Sequence, residues 1–159
     1  MTGRLQPIPR GPRAALGTAL VALATCASLL ALTGLIVRGT WLSSSWIIVL
    51  VVAAVVVGVR AVTRSWWAPS LTGLVVALAI LLVRYGAPPG RVQVLPDTGS
   101  LDRTLAAARE GVAVINASLV PMPGVRSAEL LVVTGALAAF LLADLVAIGL
   151  GAPAGGRAW

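Results

Sequence analysis

Trp46–Val62 reads WIIVLVVAAVVVGVRAV, a run in which Val and Ile dominate and Arg60 is the only charge. In water the β-branched residues would favour a strand. In lipid the backbone amides are satisfied only within a helix or a closed barrel, and this run lacks the alternation of a barrel strand. The reading is therefore a transmembrane helix, decided by environment and against propensity. Composition supports it: 58% of the 159 residues are hydrophobic and 11% charged, against about 45–50% apolar and 25% charged in a soluble domain. So short a chain folded in water would leave much of its Leu, Val, Ala and Ile facing solvent.

Working outward, three further apolar runs repeat the pattern. Residues 14–37, AALGTALVALATCASLLALTGLIV, carry no charge and as a helix would cover about 36 Å, enough for a hydrocarbon core of ~30 Å. A third span is expected over 67–83, with Pro69 tolerated in its first turn. The fourth, 128–150, has Glu129 at its head and is interrupted beyond it by Asp144 alone. The link Arg38–Ser45 (RGTWLSSS) is short and polar, with Trp41 and Trp46 where an interfacial aromatic belt would sit. Arg60, Arg64, Trp66 and Trp67 mark the next turn as basic and interfacial.

Residues 84–127 form the one long polar segment, irregular at both ends where Pro88, Pro89 and Gly90, and Pro121, Pro123 and Gly124, occur. Between them Leu101, Leu105, Ala108, Val112, Ile115 and Leu119 follow the spacing of an amphipathic helix over 100–119. Ser100 suits its cap and Asp102 its positive end. Such a helix would lie along the outer membrane surface or over the mouth of the bundle. The expected fold class is thus all-α: a polytopic membrane bundle of about four transmembrane helices and one amphipathic extracytoplasmic helix. Residues 1–13 form a basic tail and 151–159 a second one. No internal repeat of fixed period or inverted duplication is visible.

All twelve basic residues are Arg and the net charge is +7. Arg4, Arg10, Arg13, Arg60, Arg64 and Arg157 fall on one side of the expected bilayer and Arg38 alone in the short opposite link, which places both termini in the cytoplasm. The arginines are dispersed and stacking partners are few, so nucleic acid is not the expected partner. The expected partners are the lipid bilayer, other membrane helices and a second copy of the chain. A secretory signal would have a shorter apolar region than 14–37. The LATC sequence ending at Cys26 is a poor lipidation site, because Thr25 precedes the cysteine and apolar residues continue beyond it; a buried inert thiol is the expectation.

Catalytic candidates are scarce. Histidine is absent and Cys26 is the only cysteine. This removes a disulfide, a cysteine pair for zinc and every Ser/His or Cys/His nucleophile pair. No phosphate-binding glycine loop or acidic metal cluster is visible, so no catalytic, cofactor-binding or metal residue is assigned. Asn116–Ser118 spells a glycosylation triplet that is common by chance. Asp144 alone raises a physical question, since a carboxylate in hydrocarbon costs about 2.5–3.5 kcal/mol on insertion scales. Either it serves a proton or cation relay or is a protonated acid hydrogen-bonded to another helix, or it reaches interfacial water or pairs with Arg60 or Arg64. Glu129 complements the positive end of the last helix. Arg103, Arg109 and Glu110 read as the solvated face of the loop helix.

The order of features resembles a known family. The basic leader, the outer segment VLPDTGSLDRTLAAAREGVAVINASLVPMPGV with Leu95 and Pro96, the Pro121–Gly124 turn, Asp144, and Ala152 with Pro153 resemble the N-terminal membrane region of the bacterial transglutaminase-like membrane proteins, the TgpA family. The likeness covers most of the chain from about Trp41 onward, and none of its markers is a catalytic signature. It implies a membrane region followed by an extracytoplasmic transglutaminase-like domain with a Cys, His and Asp triad. No triad residue carries over to this chain, which on this reading is a truncated or split member: an anchor without the enzyme. The alternative is a small transport or channel subunit using Asp144 as an intramembrane proton or cation site.

Overall fold

The computed structural model describes residues 12–36, 40–63, 65, 67–88, 95–117 and 124–149. Within them the chain forms five helices: α1 (Pro12–Leu30), α2 (Trp41–Val62), α3 (Ala68–Tyr85), α4 (Ser100–Ala117) and α5 (Arg126–Gly149). The fold is an all-α bundle. α2 and α5 run parallel at its centre, α1 and α3 flank them antiparallel, and α4 lies against α3 and α5 where α3 ends and α5 begins. Residues 1–11 of the expected N-terminal tail, the tail 151–159, Arg64, Trp66 and Leu119 lie outside the described residues, whereas Pro12 and Arg13, expected in that tail, open α1.

Three helices, α2, α3 and the stretch Arg126–Ala147 of α5, are long and apolar enough to cross a membrane, and only about a third of each is buried within the bundle. The remainder presents Leu50, Val51, Leu74, Leu78, Leu142 and similar residues to the outside. Such a surface is compatible with lipid and would be costly in water. The core sits between the central helices, where Val49, Val52 and Val56 of α2 meet Leu130, Val133, Leu137 and Phe140 of α5. The spacings of three and four in these sets place each on one helical stripe.

The first expected span is shorter than its charge-free run. α1 stops at Leu30, and its apolar part, Ala14–Leu30, is a shorter helix than the three candidate spans. Two causes are local. Thr25, Ser28 and Thr33 turn their hydroxyls back onto the carbonyls of Val21, Thr25 and Leu30, a habit that weakens and bends helices. Beyond Leu30 the amides of Ala31, Leu32 and Thr33 reach three residues back instead of four, tightening the last turn before Gly34 at φ 134° ends it. That φ is accessible to glycine and costly for other residues.

Conversely, α2 begins at Trp41, five residues before the expected Trp46, and absorbs the serines of the supposed link. Ser45 bonds the carbonyl of Trp41 at 2.6 Å and Ser43 that of Thr40 at 3.0 Å, so the hydroxyls are satisfied inside the helix. Trp41 is buried, and the indole N–H of Trp46 donates to the Cys26 carbonyl at 3.0 Å. Both tryptophans thus pack within the bundle, whereas Trp67 is exposed at the opposite end of α2. Pro69 occupies the first turn of α3, where its missing N–H has no helical partner to lose.

α4 docks by an unexpected face. Ser100, Ala107 and Gly111 turn toward the bundle together with Ala108 of the predicted apolar stripe, while Leu101, Leu105, Val112 and Ile115 of that stripe stay exposed. The reason is backbone proximity: a Cβ at Gly111 would stand 2.4 Å from the Ser127 carbonyl oxygen, so small residues let α4 and α5 come together more closely than leucines would. This close approach buries the Ser127 hydroxyl without a hydrogen-bond partner among the described residues. Replacing Ser127 by Ala removes that burden and is expected to raise stability by up to about 1 kcal/mol, read from the unfolding midpoint in mixed micelles.

Candidate functional site

Both ends of the bundle carry polar clusters. At one end, Thr18 lies six residues from the start of α1 (18 − 12), Asp144 five from the end of α5 (149 − 144) and Arg60 two from the end of α2 (62 − 60). At ~1.5 Å per residue these positions lie within roughly 3–9 Å of their helix ends. They form one layer, which the long arginine side chain spans.

Asp144 is fully buried and its partner Arg60 is 10% exposed along the side chain. The guanidinium grips the carboxylate with two parallel bonds, Nη2 to Oδ2 at 2.8 Å and Nη1 to Oδ1 at 3.0 Å. This bidentate geometry is the strongest form of the pair. The Thr18 hydroxyl donates to Oδ1 at 2.8 Å, with the Ala14 carbonyl a more distant acceptor at 3.3 Å, and accepts from Arg60 Nη1. Three helices are thereby joined at a single carboxylate. Of the two pairing partners anticipated for Asp144, Arg60 occupies the site and Arg64 lies outside the described residues.

At the opposite end Glu129 does more than complement the dipole of α5. Its Oε1 accepts from Arg84 Nη2 at 2.9 Å and from the Tyr85 hydroxyl at 3.1 Å. Arg84 Nη2 also donates to Ser44 Oγ at 2.9 Å, so the ends of α2, α3 and α5 share this cluster. Arg84 and Arg126 stand 5.7 and 5.9 Å from the Tyr85 ring centre, and Arg126 Nη2 donates to the Arg84 carbonyl. With Arg84 43% exposed along its side chain, the Arg84–Glu129 pair is screened and contributes less than the buried one.

Arg103, expected on the solvated face of α4, instead ties that helix down. Its Nε donates to the Gly86 carbonyl at 2.5 Å and its Nη2 meets Asp97. Asp97 in turn accepts from the Ser100 hydroxyl at 2.8 Å and the Gly99 amide at 3.1 Å, while its own amide donates to Ser100 Oγ at 2.9 Å. Ser100 is therefore the first helical residue rather than the cap, and the chain before it supplies the turn. The Ser100 hydrogen bond, followed by Arg103, holds the Asp97 carboxyl below its ordinary range. A depressed folded value means that this support is present above the unfolded pKa and lost as pH falls through the folded one. Amide exchange in the first turn of α4 should accordingly accelerate only below the ordinary carboxylate range, and Asp97→Asn should abolish that dependence.

Arg109, Glu110 and Asn116 are exposed, as a solvated face requires, and Cys26 is buried. Among the described residues no three Cys, Asp or Glu side chains gather into a set able to hold a metal ion. Sequence reasoning missed Thr18, Ser44, Arg84 and Tyr85. The available signal was depth, since Thr18 shares the level of Asp144 near the span ends, and Arg84 and Tyr85 close α3 where Glu129 opens α5. Comparison of the chain with known family models, curated proteins and solved structures finds no match.

Proposed function

We propose that this chain is a non-catalytic membrane module that anchors and orients an extracytoplasmic partner domain. The observation that carries this reading is the fate of Asp144. The one acid in the second half of a candidate span has both carboxylate oxygens engaged, by Arg60 and Thr18, in joining α1, α2 and α5. A carboxylate held this way serves structure, and that favours the anchoring role over cation transport. The resemblance of the outer segment and its flanks to the transglutaminase-like membrane proteins supplies the kind of domain: a transglutaminase- or protease-like unit outside the bacterial inner membrane.

The orientation follows from the basic flanks. Arg60 is turned inward to Asp144, so Arg4, Arg10, Arg13, Arg64 and Arg157 are the charges that hold both termini in the cytoplasm. Reporter fusions at residue 1, in the 86–99 link and at residue 159 test this: cytoplasmic, extracytoplasmic and cytoplasmic readouts are expected. Flux assays test the role itself. Vesicles carrying the wild-type chain should show the same proton and cation leak as protein-free vesicles, and a leak abolished by Asp144→Asn would overturn the anchoring role.

A further inference from the structure

We infer that the groove between α2 and α3 is a binding site for one anionic glycerophospholipid, its phosphate on Arg84 and an acyl chain along the groove. The inference goes beyond the anchoring role and rests on the same membrane reading. The groove is an open surface depression of about 350 Å³ lined by Ile48, Ala79, Ile80 and Val83, with Arg84 at one end. Its chemistry is ordered along the helix axes. Ser44 precedes Ile48 by four residues on α2, and Arg84 follows Ile80 by four on α3, so the polar rim stands about 6 Å, one helical turn, above the apolar floor. A phospholipid seated from the interface has the same order, phosphate above and hydrocarbon below.

The rim is also prepared for an anion. Arg84 is held in place by bonds from its Nη2 to Ser44 and Glu129, and lies over the Tyr85 ring. Its Nη1 and Nε make no hydrogen bond among the described residues, and the side chain is 43% exposed. A fixed guanidinium with free N–H groups matches a phosphate's oxygens, and little conformational freedom remains to be lost on binding. Arg126, exposed beside the same ring, adds a second cation. Two arginines against Glu129 leave the rim with a net charge of +1, which selects a phosphate bearing an uncompensated negative charge over a zwitterionic headgroup.

Native mass spectrometry of the full chain in mild detergent, with added phosphatidylglycerol or phosphatidylcholine, tests the site. One phosphatidylglycerol per chain is expected, retained in clear preference to phosphatidylcholine. Arg84→Gln should reduce that retention about tenfold, the equivalent of one charged hydrogen bond. Ala79→Phe, at an exposed position that fills the groove and leaves Arg84 in place, should reduce it as well. Arg109→Gln, which removes an exposed charge of α4 that does not line the groove, should leave it unchanged. Equal retention by wild type, Arg84→Gln and Ala79→Phe overturns the site, as does an equal loss in Arg109→Gln or a groove occupied by a second copy of the chain. Monodisperse protein in buffer without detergent would instead overturn the membrane reading beneath it, so the two failures are distinguishable.

Discussion

Arg60→Met is expected to destabilise the bundle by about 3–5 kcal/mol, and Asp144→Leu by a similar amount, because each leaves the opposite charge buried without its partner. Asp144 is fully buried and Arg60 nearly so, and neither charge has an alternative partner among the described residues. The double variant Arg60→Met, Asp144→Leu removes both charges with little change in volume. It should recover most of the loss, since a well-packed apolar pair avoids the desolvation that the ions incur. Thr18→Val, which deletes one hydroxyl from the carboxylate, should cost about 1–3 kcal/mol in the wild type and far less in the double variant. Unfolding by sodium dodecyl sulfate in mixed micelles reads all five. A double variant whose loss equals the sum of the two single losses would mean that the two side chains are not energetically coupled.

Such a cycle also bears on why an ion pair occupies an apolar bundle at all. In lipid the apolar surfaces of α1, α2 and α5 could slide past one another with little change in free energy, because lipid tails solvate leucine as well as leucine does. A bidentate pair joined by a hydroxyl has one good geometry, and a shift of one turn would break it. We therefore expect the Arg60→Met, Asp144→Leu variant to be stable yet less defined in helix register. Broadened cross-linking between cysteines placed at Leu20 and Val146, both exposed near the cluster, would report that loss.

Much of this architecture is legible from residue type alone. Apolar length identifies α2, α3 and α5, because in hydrocarbon the backbone has one local solution, and the β-branched residues of α2 do not alter it. Helix ends are less legible. Whether Ser43–Ser45 form a link or a first turn depends on hydroxyls finding carbonyls within the helix, and the shortening of α1 depends on the concerted turn through Thr33 and Gly34. The role of Asp144 was half visible: the cost of burying it demanded a partner, and Arg60 lay at a suitable distance from a span end. Thr18 carried no such demand, since a lone threonine satisfies itself on its own backbone. The docking face of α4 was concealed for a different reason. Periodicity ranks faces by hydrophobicity, whereas contact between helices in a bundle rewards close approach, and Ser100, Ala107 and Gly111 offer little hydrophobicity and much proximity.

That distinction gives the second large effect, at Gly111. An added Cβ there would lie 2.4 Å from the Ser127 carbonyl oxygen, 2.9 Å from its carbonyl carbon and 3.0 Å from Leu131 Cδ1. The leucine end can rotate away, but the carbonyl belongs to the first turn of α5 and cannot, so α4 itself must retreat. Gly111→Ala should gain up to about 1 kcal/mol from helix propensity and lose about 1–3 kcal/mol to the forced separation. The expected result is net destabilisation, larger still for Gly111→Val, with faster amide exchange concentrated in α4 and the start of α5. Gly17→Ala and Gly135→Ala provide the matched contrast, since a Cβ at either position meets nothing within 4 Å. Both should stabilise the protein by up to about 1 kcal/mol, through the same propensity that Gly111→Ala cannot realise. Opposite signs for one chemical change at three helical glycines would assign the effect to backbone contact between α4 and α5. A stabilising Gly111→Ala would instead mean that the Leu101, Leu105, Val112 and Ile115 face, now turned outward, is the one that packs against the bundle.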